Sequence, residues 1–112
     1  MIKMRMGNYP LLVAITNKNV DMIQLIIDYA DKNHIELDIN DKEYRFGCYP
    51  LQLAILYNNI EMAQLIIDYA DKNNITLLYD ENNFPVVNEK IVPLLYKNYN
   101  EHKIILIFDE RL

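Results

Sequence analysis

The chain has 112 residues and a mass of 13.3 kDa, with 52% hydrophobic and 24% charged residues, which suits one compact domain with a modest core. Its formal charge of -5 and scattered Lys and Arg speak against a nucleic-acid surface, because backbone phosphates demand clustered cations. Gly7 and Gly47 are its only glycines, serine is absent and Cys48 stands alone, which excludes a P-loop, a dinucleotide fingerprint, a serine nucleophile, an internal disulfide and a thiolate zinc cage.

A lone cysteine fits a reducing, intracellular compartment. No apolar run approaches the roughly 20 residues of a membrane helix. Basic residues precede apolar ones in Met1 to Met6, but Gly7-Asn8-Tyr9-Pro10 interrupts them, so no signal peptide is expected. Pro10 then fits the first position of a short helix, where its missing N–H costs nothing. That helix is predicted to reach about Asn17 and to bury the stripe Leu11, Ala14 and Ile15. Asn17-Lys18-Asn19 supplies turn chemistry, since asparagine tolerates the left-handed conformation.

A second helix is predicted over about Val20 to Lys32. Met22, Ile23, Leu25, Ile26, Ile27 and Tyr29 make it apolar on nearly all sides, so it must lie between neighbours. Asp28 and Lys32 stand at i,i+4, as Asp68 and Lys72 do further along, an exposed pairing worth roughly 0.3 kcal/mol. Asn33 is a plausible stop. The alternation Ile35-Glu36-Leu37-Asp38-Ile39 reads as a short extended segment, and a projecting loop follows.

From Tyr49 the chain repeats itself. Tyr9 to Asn33 and Tyr49 to Asn73 agree at 17 of 25 positions, including the whole run from Gln24 to Asn33 against Gln64 to Asn73. The second copy therefore predicts a helix from Pro50 to about Tyr57, with Leu51, Ala54 and Ile55 buried, then an Asn58-Asn59 turn. A helix over about Ile60 to Lys72, a stop at Asn73-Asn74 and an extended Ile75-Thr76-Leu77 complete it. An eroded third copy emerges when Ala63 to Glu81 is laid over Val92 to Glu110: Leu65, Ile75, Leu77, Asp80 and Glu81 recur as Leu94, Ile104, Leu106, Asp109 and Glu110. The expected organisation is one domain over 1–112, with repeats at about 7–46 and 47–84 and a degenerate capping half-repeat at about 85–112. Asn88 to Lys103 is amphipathic, as a cap requires.

Turn, helix, tight loop, antiparallel helix and projecting loop resemble the ankyrin repeat. Its signature of glycine, a variable residue, Thr-Pro-Leu-His and two small positions is echoed by Gly7-Asn8-Tyr9-Pro10-Leu11-Leu12-Val13-Ala14-Ile15 and again by Gly47-Cys48-Tyr49-Pro50-Leu51-Gln52-Leu53-Ala54-Ile55. The resemblance covers Gly7 to about Glu81 well and implies an all-α, ankyrin-like helical solenoid of antiparallel helix pairs. Tyr9 and Tyr49 replace the family's threonine, and Leu12 and Gln52 its histidine, so tyrosine packing is expected to substitute for the usual hydrogen bonding. Ala30 and Ala70 stand where the family ends its second helix with glycine. Alanine lets the helix run about one turn further, part of the growth from about 33 residues to the 40 seen here, and the loop Asp38 to Phe46 takes the rest.

The resemblance implies a non-enzymatic protein-protein interaction module without cofactor or metal. Matched to the family's variable positions, the expected contacts are Asn8 and Cys48 before each Tyr-Pro, Arg45 and Phe46 on the loop, and Thr16, Asn17, Leu56 and Tyr57 past the first helices. Glu43-Tyr44-Arg45-Phe46 mixes aromatics with arginine, as interface centres do, and is the leading patch. Against it, Tyr44 and Phe46 could pack under the loop, and Cys48 could be a small core filler. His34 and His102 are isolated, which disfavours metal ligation. An enzyme would have to use pairs such as Asp28 with Asp31, yet these recur in both copies, as a solvated surface would. The expected partner is a protein, with neither nucleic acid nor membrane involved. The alternative is a structural module that self-associates through its N-terminal repeat face, a homo-oligomer, or a fragment of a longer array.

Overall fold

The computed structural model describes residues 4–6, 9–42, 48–80, 90–101 and 103–107. Along the chain these form β1 (Met4–Met6), α1 (Tyr9–Thr16), α2 (Val20–Lys32), β2 (Ile35–Leu37), α3 (Pro50–Leu56), α4 (Ile60–Lys72), β3 (Leu77–Asp80), α5 (Val92–Asn100) and β4 (Ile104–Ile107). The predicted helices fall within a residue of these bounds. Pro50 opens α3 behind an extended Tyr49, whereas α1 starts one residue earlier, at Tyr9.

Each helix pair turns on the same device. Lys18 adopts φ 55° and Asn58 φ 57°, and the amides after α1 and α3 reach back to the last free carbonyls: Lys18 to Ile15 and Asn19 to Ala14 at 2.9 Å each, Asn58 to Ile55 at 2.9 Å and Asn59 to Ala54 at 3.0 Å. This pair of bonds is a Schellman closure. The next asparagine then caps the following helix: Asn19 accepts from the Met22 amide and Asn59 from the Met62 amide. A cap of this kind contributes about 1 kcal/mol. His34 and Asn74 take the left-handed conformation after α2 and α4. Both second helices run past Ala30 and Ala70 to Lys32 and Lys72, as the missing glycine requires.

The two pairs stack side by side, α1 on α3 and α2 on α4, around one core that includes Leu11, Ile23, Leu51, Leu53, Met62 and Ile66. The extended segments pair in parallel: β1 with β2, Met4 opposite Ile35, and β3 with β4, Leu77 opposite Ile104. β3 lies two residues beyond the position that copies β2, because the Ile75 amide is drawn back to Ala70 at 2.8 Å to finish the turn. Between the strand pairs the Asn40 side chain acts as one rung of a ladder, donating to the Thr76 carbonyl at 2.8 Å and accepting from the Leu78 amide at 3.1 Å. Among the described residues of the C-terminal segment there is one helix, α5; Leu95 and Asn98 on it and Ile91 just before it are buried, while Tyr96, Lys97 and Tyr99 face solvent.

Three expectations need correcting. Asp28 does not pair with Lys32. It accepts from Gln24 at 2.8 Å, while Lys72 leaves Asp68 for Asp31 of the neighbouring unit at 3.1 Å. Tyrosine packing replaces the family's hydrogen bonding only in the second unit, where Tyr49 is buried with the Lys42 ammonium 5.1 Å from its ring centre, and there Gln52 adds a polar bond by donating to the Asp80 carbonyl at 2.8 Å. In the first unit Tyr9 is exposed. Finally, α2 is not enclosed all round, because Met22, Leu25 and Tyr29 lie on an open face.

Candidate protein-binding surface

Among the expected contact residues, Asn8, Glu43, Tyr44, Arg45 and Phe46 lie outside the described residues. Four others share one edge of the stack. Thr16 and Asn17 end α1, Leu56 and Tyr57 end α3, and α1 packs beside α3. Lys18 ties the two ends, its ammonium 5.2 Å from the Tyr57 ring centre. Thr16 is half-buried and its hydroxyl donates to the Val13 carbonyl at 3.0 Å, so its side chain serves the helix end. Asn17 and Leu56 are exposed, and Tyr57 is half-buried against the core. Cys48 departs from expectation: it is fully buried among core residues and offers nothing to a partner, so the filler reading replaces the contact reading.

A larger apolar feature lies on the opposite side of the first unit from α3 and α4. α1 and α2 frame a groove of about 410 Å³ lined by Tyr9, Pro10, Val13, Ala14, Met22 and Ile26, with Asn17 and Asn19. Their second-unit counterparts Tyr49, Pro50, Leu53, Ala54, Met62 and Ile66 are all buried. The first unit is what seals them. Tyr9 is 76% exposed against 8% for Tyr49, Met22 44% against 0% for Met62, and Tyr29 57% against 2% for Tyr69. Sequence reading anticipated an open N-terminal face without picking these residues. The signal was available: the 40-residue offset pairs each exposed side chain with a buried twin.

The sealed side shows what such a face requires. The Tyr69 hydroxyl accepts from the Leu37 amide at 2.9 Å. Burial pushes its phenol above the ordinary 10.0, the Leu37 bond pulls it back, and the carboxylates of Asp31, Glu36 and Asp38 push it further up. Asp31 meets Lys72 at 3.1 Å across the seam, and beyond it Lys103 reaches both Asp71 at 3.5 Å and Glu101 at 3.1 Å. The hydrogen bond that the Lys103 ammonium donates to the Glu101 carboxylate holds it above its usual range.

Among the described residues, no three His, Cys, Asp or Glu side chains gather as a metal site would, and no helix is long and apolar enough to cross a membrane. A family model described as ankyrin repeats (3 copies) matches residues 2–76. No curated protein and no solved structure matches the chain.

Proposed function

Since the chain belongs to the ankyrin repeat family, whose domains generally bind other proteins and are typically non-enzymatic, we propose that it works as a non-catalytic module that grips a protein partner through the first-helix edge and the segment Glu43 to Phe46. Asn17, Leu56 and Tyr57 form the described part of that contact, and Glu43 to Phe46 its loop part. The observation that carries the reading is the alignment of the ends of α1 and α3 on one edge, with Leu56 an exposed apolar side chain beside polar Asn17. An apolar anchor flanked by polar groups is how interface centres are built. Affinity capture with the parent chain, a Leu56→Asp variant and a Tyr44→Ala/Arg45→Ala/Phe46→Ala variant tests it. Loss of the same partner in both variants is the expected result. Full retention in both would remove the edge and the loop as the binding surface. The net charge of -5 further predicts that a basic partner associates more slowly as salt rises.

A further inference from the structure

The open groove on α1 and α2 has a counterpart inside the same molecule. Every apolar residue that lines it recurs 40 positions later in a groove that is buried, and the cover there is a helix pair of this chain. A helix pair of this composition is therefore the kind of surface that fits. From this and from the charges along α2, we infer that the occupant is a second copy of the chain, seated on the same face across a two-fold axis with the two α2 helices antiparallel.

The helical positions fix the arrangement. Met22, Leu25 and Tyr29 form one exposed stripe along α2, centred near Leu25. Antiparallel packing about that centre sets Leu25 against Leu25 of the second copy and Met22 against its Tyr29. Asp21 lies in the first turn of α2 and Lys32 in the last, flanking the same side of the stripe. The two-fold brings Asp21 of each copy towards Lys32 of the other, so both ends of the seam join opposite charges, and it also opposes the helix dipoles favourably. A parallel arrangement would lack that pairing. On the other flank Tyr9 and Val13 of α1 meet their own copies, closing the apolar seam. An isologous contact of this sort ends at a dimer.

The inference rests on the reading of the chain as a protein-binding module but concerns a different face, so the two fail separately. A monomeric chain that still loses its partner on Leu56→Asp would sink the dimer alone, and a dimer whose captured partners ignore Leu56 would sink the edge alone. Sedimentation velocity of the full chain across the micromolar range is expected to show a monomer–dimer equilibrium. Leu25→Glu and, independently, Tyr29→Glu replace exposed side chains and leave the core untouched. Each is expected to raise the dimer dissociation constant at least about a hundredfold, since the two-fold places every substitution in the seam twice. Leu25→Cys is expected to give a disulfide-linked dimer on mild oxidation, whereas Asp68→Cys on α4 is not. A chain that stays monomeric throughout, a dimer that survives both glutamates, or species that keep growing with concentration as a head-to-tail contact through α5 would do, each overturns the inference.

Discussion

The first and second units are nearly the same sentence written twice, yet they live in different surroundings. Tyr29 and Tyr69 sit at the same place within identical ten-residue runs, but one stands in solvent while the other is buried and hydrogen-bonded to the main chain of its neighbour. The difference shows that in a repeat stack the local sequence sets the helix and its caps, while position in the array sets how much each side chain contributes. α2 and α4 start and stop at equivalent residues and use the same asparagine caps. Only their upper faces differ, and that follows from what lies on top.

The comparison is open to direct attack. The largest expected effect is in matched truncations: Tyr69→Ala should cost about 3–5 kcal/mol by urea denaturation and Met62→Ala about 2–4, whereas Tyr29→Ala and Met22→Ala, measured where the chain is monomeric, should each cost under about 1. Equal costs within either pair would mean the first unit does not cover the second. Next comes the rung between strand pairs. Asn40→Ala removes two hydrogen bonds across the unit boundary and should cost about 1–3 kcal/mol, with faster amide exchange at Leu78 as its local signature.

A titration sharpens the same contrast. The Tyr69 phenol stands above its unfolded value of 10.0, so the stability that comes from keeping it neutral is complete below that pH and is lost as the pH climbs through the folded value. Tyr69→Phe should flatten this alkaline loss while costing about 0.5–1.5 kcal/mol at neutral pH, because the Leu37 amide loses its acceptor. Ultraviolet difference absorbance of Tyr69 and alkaline unfolding curves read both effects. The smallest change has the opposite sign. His34 holds φ 55° where its twin is Asn74, so His34→Asn should stabilise the chain by a few tenths of a kcal/mol, up to about 0.5.

Much of this architecture is legible in the residues because it is local. Pro10 and Pro50, the asparagine turns and the alanines at the ends of the second helices each act within a few residues, and all fall where expected. β1 and β4 were not legible: Met4–Met6 and Ile104–Ile107 become strands only because β2 and β3 offer them an edge, a matter of distant pairing. The exchange of Lys72 from Asp68 to Asp31 has the same origin, since stacking brings a carboxylate nearer than the one on its own helix. Of the residues expected as contacts, Thr16, Asn17, Leu56 and Tyr57 lie at the adjacent ends of α1 and α3. Cys48 is buried instead, because the position before the second Tyr-Pro is covered by the rest of the stack.

Tyrosine nitration in dilute solution, mapped residue by residue by mass spectrometry, tests the central claim most directly, since the same side chain is offered twice in the same local sequence. The account predicts rapid modification of Tyr9 and Tyr29, with Tyr49 and Tyr69 spared until the chain unfolds. Modification of Tyr69 as fast as Tyr29 in the folded protein would contradict it.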